Sequence, residues 1–281
     1  MLGVPPLAGE SAATRGMLGA ATVAPVTGPT DELPTDPRKR TIRLEIAVVL
    51  AVTFGLSAYT ALVSLIEAVL LGLSGQKVAL NRKLSPIDLI NLALNLASVF
   101  QLVAWGLLGL YLLWRSGLGP SRIGLGRFRW RPDLLGGLGL AALIGIPGLG
   151  LYVAGRALGI GVAVVPSELG DTWWRIPVLL AVAFANGWAE EVIVVAFLMT
   201  RLRQLGMSPV KVLVISSLLR GAYHLYQGFG AGLGNLAMGL VFGYVWQRTG
   251  RLWPLIVAHG LIDAVAFVGY ALAAGHLGWL R

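Results

Sequence analysis

Five side chains that can exchange protons lie in apolar stretches of the C-terminal half of this chain. Glu190 and Glu191 are adjacent, and His224, His259 and Asp263 follow them. An ionisable side chain at membrane depth costs about 2.5 to 3.5 kcal/mol on insertion scales, so such residues indicate function rather than stability. Carboxylates and imidazoles are the groups that take up protons as general bases. The set therefore predicts a site that activates water.

The composition predicts that helices crossing a membrane hold these residues. Of the 281 residues, 56% are hydrophobic and only 12% are charged. The apolar residues form blocks of about 20 or more, the length that a helix needs to cross the hydrocarbon core. The chain has no cysteine, which excludes disulfides and thiolate metal sites. Imidazole and carboxylate are then the remaining metal ligands.

We predict an all-α, polytopic transmembrane bundle of about seven spans. Residues 1–40 are rich in Pro, Gly, Ala and Thr without amphipathic periodicity, which is typical of a disordered tail. Residues 41–281 form the transmembrane domain. Apolar runs predict the spans 46–73, 87–114, 134–158, 176–200, 209–226, 231–246 and 252–272.

The net charge is +9, and the basic residues lie at the ends of the apolar segments rather than along one stripe. This placement argues against nucleic acid as a partner. With a cytoplasmic N-terminus, most basic residues fall in inner segments, as the positive-inside rule requires. These inner residues are Arg38, Lys39, Arg40, Arg43, Arg115, Arg122, Arg127, Arg129, Arg131, Arg201, Arg203, Lys211, Arg248 and Arg251. We therefore predict a multi-pass protein of the cell membrane, surrounded by lipid, with its N-terminus inside.

Helix geometry brings the polar residues to a common depth. At 1.5 Å per residue from the inner ends of their spans, Glu190 lies about 15 Å deep, His224 about 21 Å, His259 about 10 Å and Asp263 about 16 Å. His259 and Asp263 are four residues apart and share a helix face. The two adjacent glutamates point about 100° apart, so we expect different targets for them, one carboxylate being reactive and the other structural.

These residues resemble a known family pattern. The chain carries Glu190-Glu191, then His224 at the end of an Arg-Gly-Ala-Tyr-His stretch, then His259-Gly-Leu-Ile-Asp263. The intramembrane endopeptidases of the type II CAAX-processing and bacteriocin-processing (CPBP) family carry Glu-Glu-x-x-x-Arg, Phe-x-x-x-His and His-x-x-x-Asn/Asp on successive helices. The resemblance covers residues 176–270, about a third of the chain. It implies a protease-like core at 176–272 that cleaves a peptide or a membrane-protein substrate.

Two positions depart from the family pattern. The family arginine, which braces the second glutamate, would fall at Val195, and the family phenylalanine would fall at Arg220. We expect Arg220 to have taken over the bracing of Glu191 from the neighbouring helix, because an unpaired buried charge is costly. The family also often has an eighth span, for which the stretch after Leu272 is too short.

The resemblance implies roles for the polar residues. Glu190, assisted by His224, would deprotonate a water that attacks a peptide carbonyl. His259 and Asp263 would face the developing oxyanion or hold the water. Glu191, braced by Arg220, would support the site.

A metal and two other functions stay open at this stage. Zinc could be bound by Glu190, His224 and His259, but the HExxH signature is absent and a metal-free mechanism is equally open. The same groups could form the proton relay of a transporter. The departures from the family pattern also allow a catalytically idle immunity or scaffold protein of the same fold.

The charge asymmetry predicts the membrane topology. Reporter domains fused after Arg129 and after Arg203 should report the cytoplasm, because basic loops stay inside. A reporter fused after Arg281 should report the outer side. A cytoplasmic signal from the Arg281 fusion would contradict seven spans and indicate a missed or re-entrant segment.

Overall fold

A computed structural model describes residues 39–159 and 161–269 of the chain. Its helices are α1 (Lys39–Val52), α2 (Phe54–Leu71), α3 (Asp88–Arg115), α4 (Trp130–Ala157), α5 (Arg175–Glu190), α6 (Leu198–Gln204), α7 (Pro209–Tyr223), α8 (Phe229–Thr249) and α9 (Trp253–Ala264). Two π-helical segments, Glu191–Phe197 and Val265–Gly269, follow α5 and α9. The predicted all-α class is confirmed, and the predicted disordered tail, residues 1–40, falls almost wholly outside the described residues.

Five helices in the described part of the chain are long and apolar enough to cross a membrane. They are α2, α3, α4, the continuous helix Arg175–Gln204 and α8. Two others, α7 and α9, have only 15 and 12 residues, although the π-helical segment lengthens α9. Six of the seven predicted spans each coincide with one helix to within a few residues. The count of seven spans itself stays a prediction.

The first predicted span, 46–73, is wrong as a single helix. The chain breaks at Thr53, where the backbone leaves the helical region with φ −130° and ψ −129°. The Thr53 hydroxyl donates to Val49 O at 2.7 Å and closes the end of α1. Gly55 permits the break, because a Cβ there would lie 2.6 Å from Leu50 O. Hydropathy does not detect this break, since both sides of it are apolar.

A short parallel sheet, which the sequence did not predict, joins two loops at one end of the bundle. Strand β1 (Lys77–Asn81) follows α2, and strand β2 (Ala163–Ser167) follows α4. Lys77 pairs with Ala163, and the Asn81 side chain donates to Pro166 O at 2.8 Å. The strands are too short and too irregular in polarity to stand out among loop residues.

The helix Arg175–Gln204 is the centre of the bundle. Of the residues in its most apolar stretch, 67% are buried, against 6% in Trp130–Ala157. All residues from Ala189 to Leu198 are buried, the two glutamates among them. The outer helices instead expose large apolar side chains such as Phe100 and Ile146, as expected for surfaces that face lipid. The most apolar stretch of this helix is therefore the part of the described bundle that is most enclosed by protein.

Two arginines that the sequence placed among the inner flanking charges are engaged in buried ion pairs. Arg201 Nη2 lies 2.6 Å from Glu45 Oε2, which ties α1 to α6. Arg251 Nε donates to Asp133 Oδ1 at 2.7 Å and ties the start of α4 to the loop before α9. Arg201 and Asp133 are fully buried. These ion pairs join elements that are distant along the chain.

Helices α5 and α9 approach closely because glycines face each other where they cross. A Cβ at Gly187 would lie 3.0 Å from Gly260 N and 3.2 Å from His259 Cβ. Small residues at such crossings allow backbone contact between membrane helices. The crossing lies within one turn of Glu190 and of His259, so its separation sets the distance between their side chains.

We expect Gly187→Ala to destabilise the protein by about 1 to 3 kcal/mol, because the added methyl overpacks the crossing. Reversible unfolding in mixed detergent micelles would measure the change. The matched control is Gly139→Ala in α4, where a Cβ meets nothing within 4 Å. The control should be neutral or stabilising, because alanine is the better helix former. Equal effects of the two substitutions would contradict close α5–α9 packing.

Candidate active site

Three helices bring polar side chains to one buried cluster. Helix α5 ends at Glu190, and the π-helical segment begins at Glu191. Short π-helical segments inside α-helices occur often at functional sites. The last turn of α7 supplies Arg220 and Tyr223. Helix α9 supplies two further titratable side chains, His259 and Asp263.

The wider turn of the π-helix is supported from α7. A π-helix changes the backbone pairing from i→i+4 to i→i+5, which disturbs the ladder where it begins and ends. Ser216 Oγ donates to Val194 O at 2.7 Å, and both residues are buried. A side chain from the neighbouring helix thus satisfies a carbonyl within the irregular segment.

Arg220 and Glu191 form a fully buried ion pair. Arg220 Nη1 lies 2.8 Å from Glu191 Oε1, and both side chains are 0% exposed. The same guanidinium nitrogen lies 3.7 Å from Glu190 Oε2. The contact that the sequence led us to expect between Arg220 and Glu191 is therefore present, with Arg220 standing in for the arginine missing at Val195.

Glu191 also fixes the orientation of His259. Its Oε1 lies 2.7 Å from His259 Nδ1. An ionised carboxylate can only accept, so Nδ1 carries the proton and donates. The 3.5 Å approach of Arg220 Nη1 to the same ring nitrogen then joins two donors and is not a hydrogen bond. The remaining ring nitrogen, His259 Nε2, is aimed at the other carboxylates of the cluster.

Neutral donors hold both oxygens of the Glu190 carboxylate. Tyr223 OH donates to Oε2 at 2.5 Å, and Asn186 Nδ2 donates to Oε1 at 3.2 Å. His259 Nε2 lies 3.8 Å from Oε2, too far for a direct hydrogen bond. Glu190 is only 2% exposed. The carboxylate is thus fixed in position without a direct ion pair such as the one that Glu191 makes.

Asp263 and His224 lie at the edge of the cluster. Asp263 Oδ2 accepts from Asn186 Nδ2 at 2.9 Å and lies 3.7 Å from His259 Nε2. His224 follows the last residue of α7, and its Nδ1 lies 3.1 Å from Arg220 O. The His224 imidazole interacts electrostatically with Glu190, and in the described part of the chain no hydrogen bond joins the two.

One expectation about the two glutamates is wrong. We expected side chains about 100° apart to point at different targets, but both carboxylates face the His259 imidazole from opposite sides. Glu191 contacts Nδ1, and Glu190 faces Nε2. The imidazole ring is wide enough to lie between two diverging side chains. The expected division of labour stays a prediction, because only Glu191 is ion-paired at short distance.

Two residues of the cluster were missed by the sequence analysis. Asn186 precedes Glu190 by four residues and shares its helix face, a spacing that could have indicated it. Tyr223 immediately precedes His224, and nothing in its spacing distinguishes it from other aromatic residues in the spans. Both donate hydrogen bonds to Glu190.

The cluster does not fit a zinc site. In residues 39–159 and 161–269, no group of three or more His, Asp or Glu side chains is placed to hold a metal ion together. The ligand set considered for zinc, Glu190, His224 and His259, is thus not assembled. The guanidinium of Arg220, 3.7 Å from Glu190 Oε2, also opposes a second cation at that oxygen. The chemistry below is therefore derived from the side chains alone.

Comparison with protein families gives one match. Residues 172–265 match the family described as "Rce1-like: Type II CAAX prenyl endopeptidase Rce1-like". The match spans about one third of the chain and contains every residue of the cluster. It confirms, over that segment, the resemblance read from the glutamate and histidine motifs. No curated protein and no solved structure matches the chain significantly.

Breaking the buried ion pair should destabilise the protein strongly. We expect Glu191→Gln or Arg220→Met alone to cost about 3 to 5 kcal/mol, because each leaves an uncompensated charge in the core. The double substitution should recover much of that loss. Reversible unfolding in mixed detergent micelles measures all four proteins.

The solvated pair of Arg175 with Asp171, 3.3 Å apart and with Asp171 94% exposed, is the control. Substituting either of its members should change stability by less than about 1 kcal/mol. Additive effects of the two single substitutions at Glu191 and Arg220 would mean that the ion pair does not couple these residues.

Proposed function

We propose that this chain, whose residues 172–265 match type II CAAX prenyl endopeptidases, is an endopeptidase that hydrolyses a peptide bond near or within the bilayer. The observation that carries this proposal is the buried carboxylate of Glu190, held by two neutral donors and facing His259 Nε2. Glu191 contacts the Arg220 guanidinium at 2.8 Å, whereas Glu190 lies 3.7 Å from the same nitrogen. Glu190 is instead held in place with lone pairs left to accept a proton.

Glu190 is the general base of the proposed reaction. Its Oε2 and His259 Nε2 are 3.8 Å apart, a separation at which one water can contact both atoms. Proton transfer from that water to Glu190 produces the nucleophile that attacks the peptide carbonyl. His224, at the end of α7 and electrostatically coupled to Glu190, assists from the substrate side.

His259 orients the water. Its Nδ1–H is committed to Glu191, which keeps Nε2 aimed at Glu190 and Asp263. A carboxylate behind an imidazole commonly fixes the tautomer and the orientation of the ring. Arg220 lies 2.8 Å from the same Glu191 oxygen and balances the charge of this orienting carboxylate.

Asn186 sets the spacing between the carboxylates of Glu190 and Asp263. Its amide donates to Glu190 Oε1 and to Asp263 Oδ2. Without that bridge the like charges would repel each other and move apart. The bridge therefore holds α5 and α9 at the distance at which His259 faces Glu190.

We expect Glu190→Gln and His224→Ala to abolish cleavage while the protein stays folded and inserted, because they remove proton transfer rather than packing. Substitution of His259 should lower turnover by about 10²-fold or more if it stabilises the oxyanion. The assay is hydrolysis, in proteoliposomes, of an internally quenched peptide that ends in a prenylated Cys-aliphatic-aliphatic-X sequence. A quenched transmembrane peptide without the lipid tests the broader substrate class.

Glu67→Gln is the matched control, since Glu67 lies exposed on α2. Wild-type turnover in Glu190→Gln would exclude Glu190 as the base. Exhaustive chelation should leave the rate unchanged, because the described side chains do not assemble a metal site. Loss of activity on chelation, restored by zinc, would contradict the metal-free chemistry.

A further inference from the structure

We propose that Tyr223 is a further catalytic residue of this endopeptidase. Its phenol holds Glu190 at rest and donates to the oxyanion once Glu190 has taken a proton. The inference rests on the proposed function, since it assigns a role within the same reaction. Two observations support it. The Tyr223 hydroxyl lies beside Glu190, and neighbouring side chains already use their own donors on other acceptors.

The hydroxyl oxygen of Tyr223 is fixed beside the base. It lies 2.5 Å from Glu190 Oε2, and the residue is only 4% exposed. The phenol ring packs between Phe54, with centroids 4.9 Å apart, and the imidazole of His224, with centroids 4.7 Å apart. Packing on two sides fixes the oxygen, while rotation about the C–O bond leaves the proton free to change its acceptor.

Three other side chains of the cluster, Asp263, Asn186 and His259, already use their hydrogen-bonding groups on one another or on the two glutamates. The family pattern often places Asn at position 263, and an asparagine amide can donate. Asp263 is an acceptor when ionised, and it accepts from Asn186. Asn186 uses its amide on two carboxylates, and His259 uses Nδ1–H on Glu191. Tyr223, unlike Asn186, donates to a single acceptor, Glu190, and that acceptor loses its charge during the reaction.

In the proposed step one proton passes from water through Glu190 to the leaving nitrogen. Glu190 takes one proton from water, and the hydroxide oxygen bonds to the peptide carbon while the carbonyl π bond becomes the oxyanion. Neutral Glu190 is a weaker acceptor, so the Tyr223 hydroxyl turns from Glu190 Oε2 to the oxyanion. Glu190 then gives its proton to the leaving nitrogen while the oxyanion re-forms the carbonyl π bond and the C–N bond breaks, its electron pair going to nitrogen. The carboxylate is restored, and Tyr223 donates to it again.

Tyr223→Phe tests the inference, because it removes one oxygen and keeps the ring between Phe54 and His224. We expect kcat for the quenched prenylated peptide to fall by about 10² to 10³-fold, the usual effect of losing one oxyanion donor. KM should change by less than about twofold. Tyr244→Phe is the control, because Tyr244 is exposed on α8 and should leave both constants unchanged.

Fluorinated tyrosines at position 223 separate catalysis from packing. As the phenol becomes more acidic it donates more strongly to a developing anion, so kcat should vary monotonically with phenol acidity while the melting temperature stays constant. A kcat that follows thermal stability instead of acidity would assign Tyr223 a structural role and overturn the inference. Unchanged kcat in Tyr223→Phe would also overturn it.

The same experiments distinguish this inference from the proposed function. An active wild type, an inactive Glu190→Gln and a fully active Tyr223→Phe would reject the role of Tyr223 alone. A Glu190→Gln variant as active as the wild type would reject the proposed function and the inference with it. A wild type that cleaves neither quenched peptide would have the same consequence.

Discussion

The buried pair of Arg220 and Glu191 is the interaction on which the rest of the site depends. A single charge in a membrane protein core is costly, and partner charges at contact distance reduce that cost. Here the pairing also determines geometry, because Glu191 holds Arg220 and His259 through one oxygen. The contact of Glu191 with His259 Nδ1 orients the other ring nitrogen toward Glu190. Stability and the orientation of the proposed catalytic groups therefore have the same physical origin.

The central helix explains how two adjacent carboxylates can be buried together. Its change to π-helical geometry begins at Glu191, and α7 supplies both the cation for Glu191 and the hydroxyl for Glu190. The close crossing of α5 and α9 at Gly187 brings the His259 imidazole between the two carboxylates. One helix of ordinary apolar composition thus becomes the centre of a polar site, because its neighbours carry the complementary groups at the same level.

The sequence predicted the helices and the polar cluster better than the connections between elements. Hydropathy finds membrane helices because a helix makes all of its backbone hydrogen bonds internally and can therefore consist of one long apolar run. It does not detect the break at Thr53, because the segments on both sides are equally apolar. The contact of Arg220 with Glu191 could be predicted because burial of a charge demands a partner. The contact of Tyr223 could not, because a neutral polar residue in a helix carries no comparable constraint and its contacts depend on tertiary packing. Asn186 carries no such constraint either, and only its four-residue spacing from Glu190 could have indicated it.

Three ion pairs among the described residues of the bundle interior have a consequence for the order of assembly during synthesis. In each pair the acidic residue is made first, so Glu45, Asp133 and Glu191 all precede their arginines along the chain. Glu191 and Arg220 lie on consecutive helices. The Glu191 carboxylate can therefore be paired as soon as the next helix, α7, has been synthesised. Glu45 must wait until most of the bundle has been translated. Helix α1 can therefore make its ion pair only after α6 has been synthesised, when α7, α8 and α9 are still to follow.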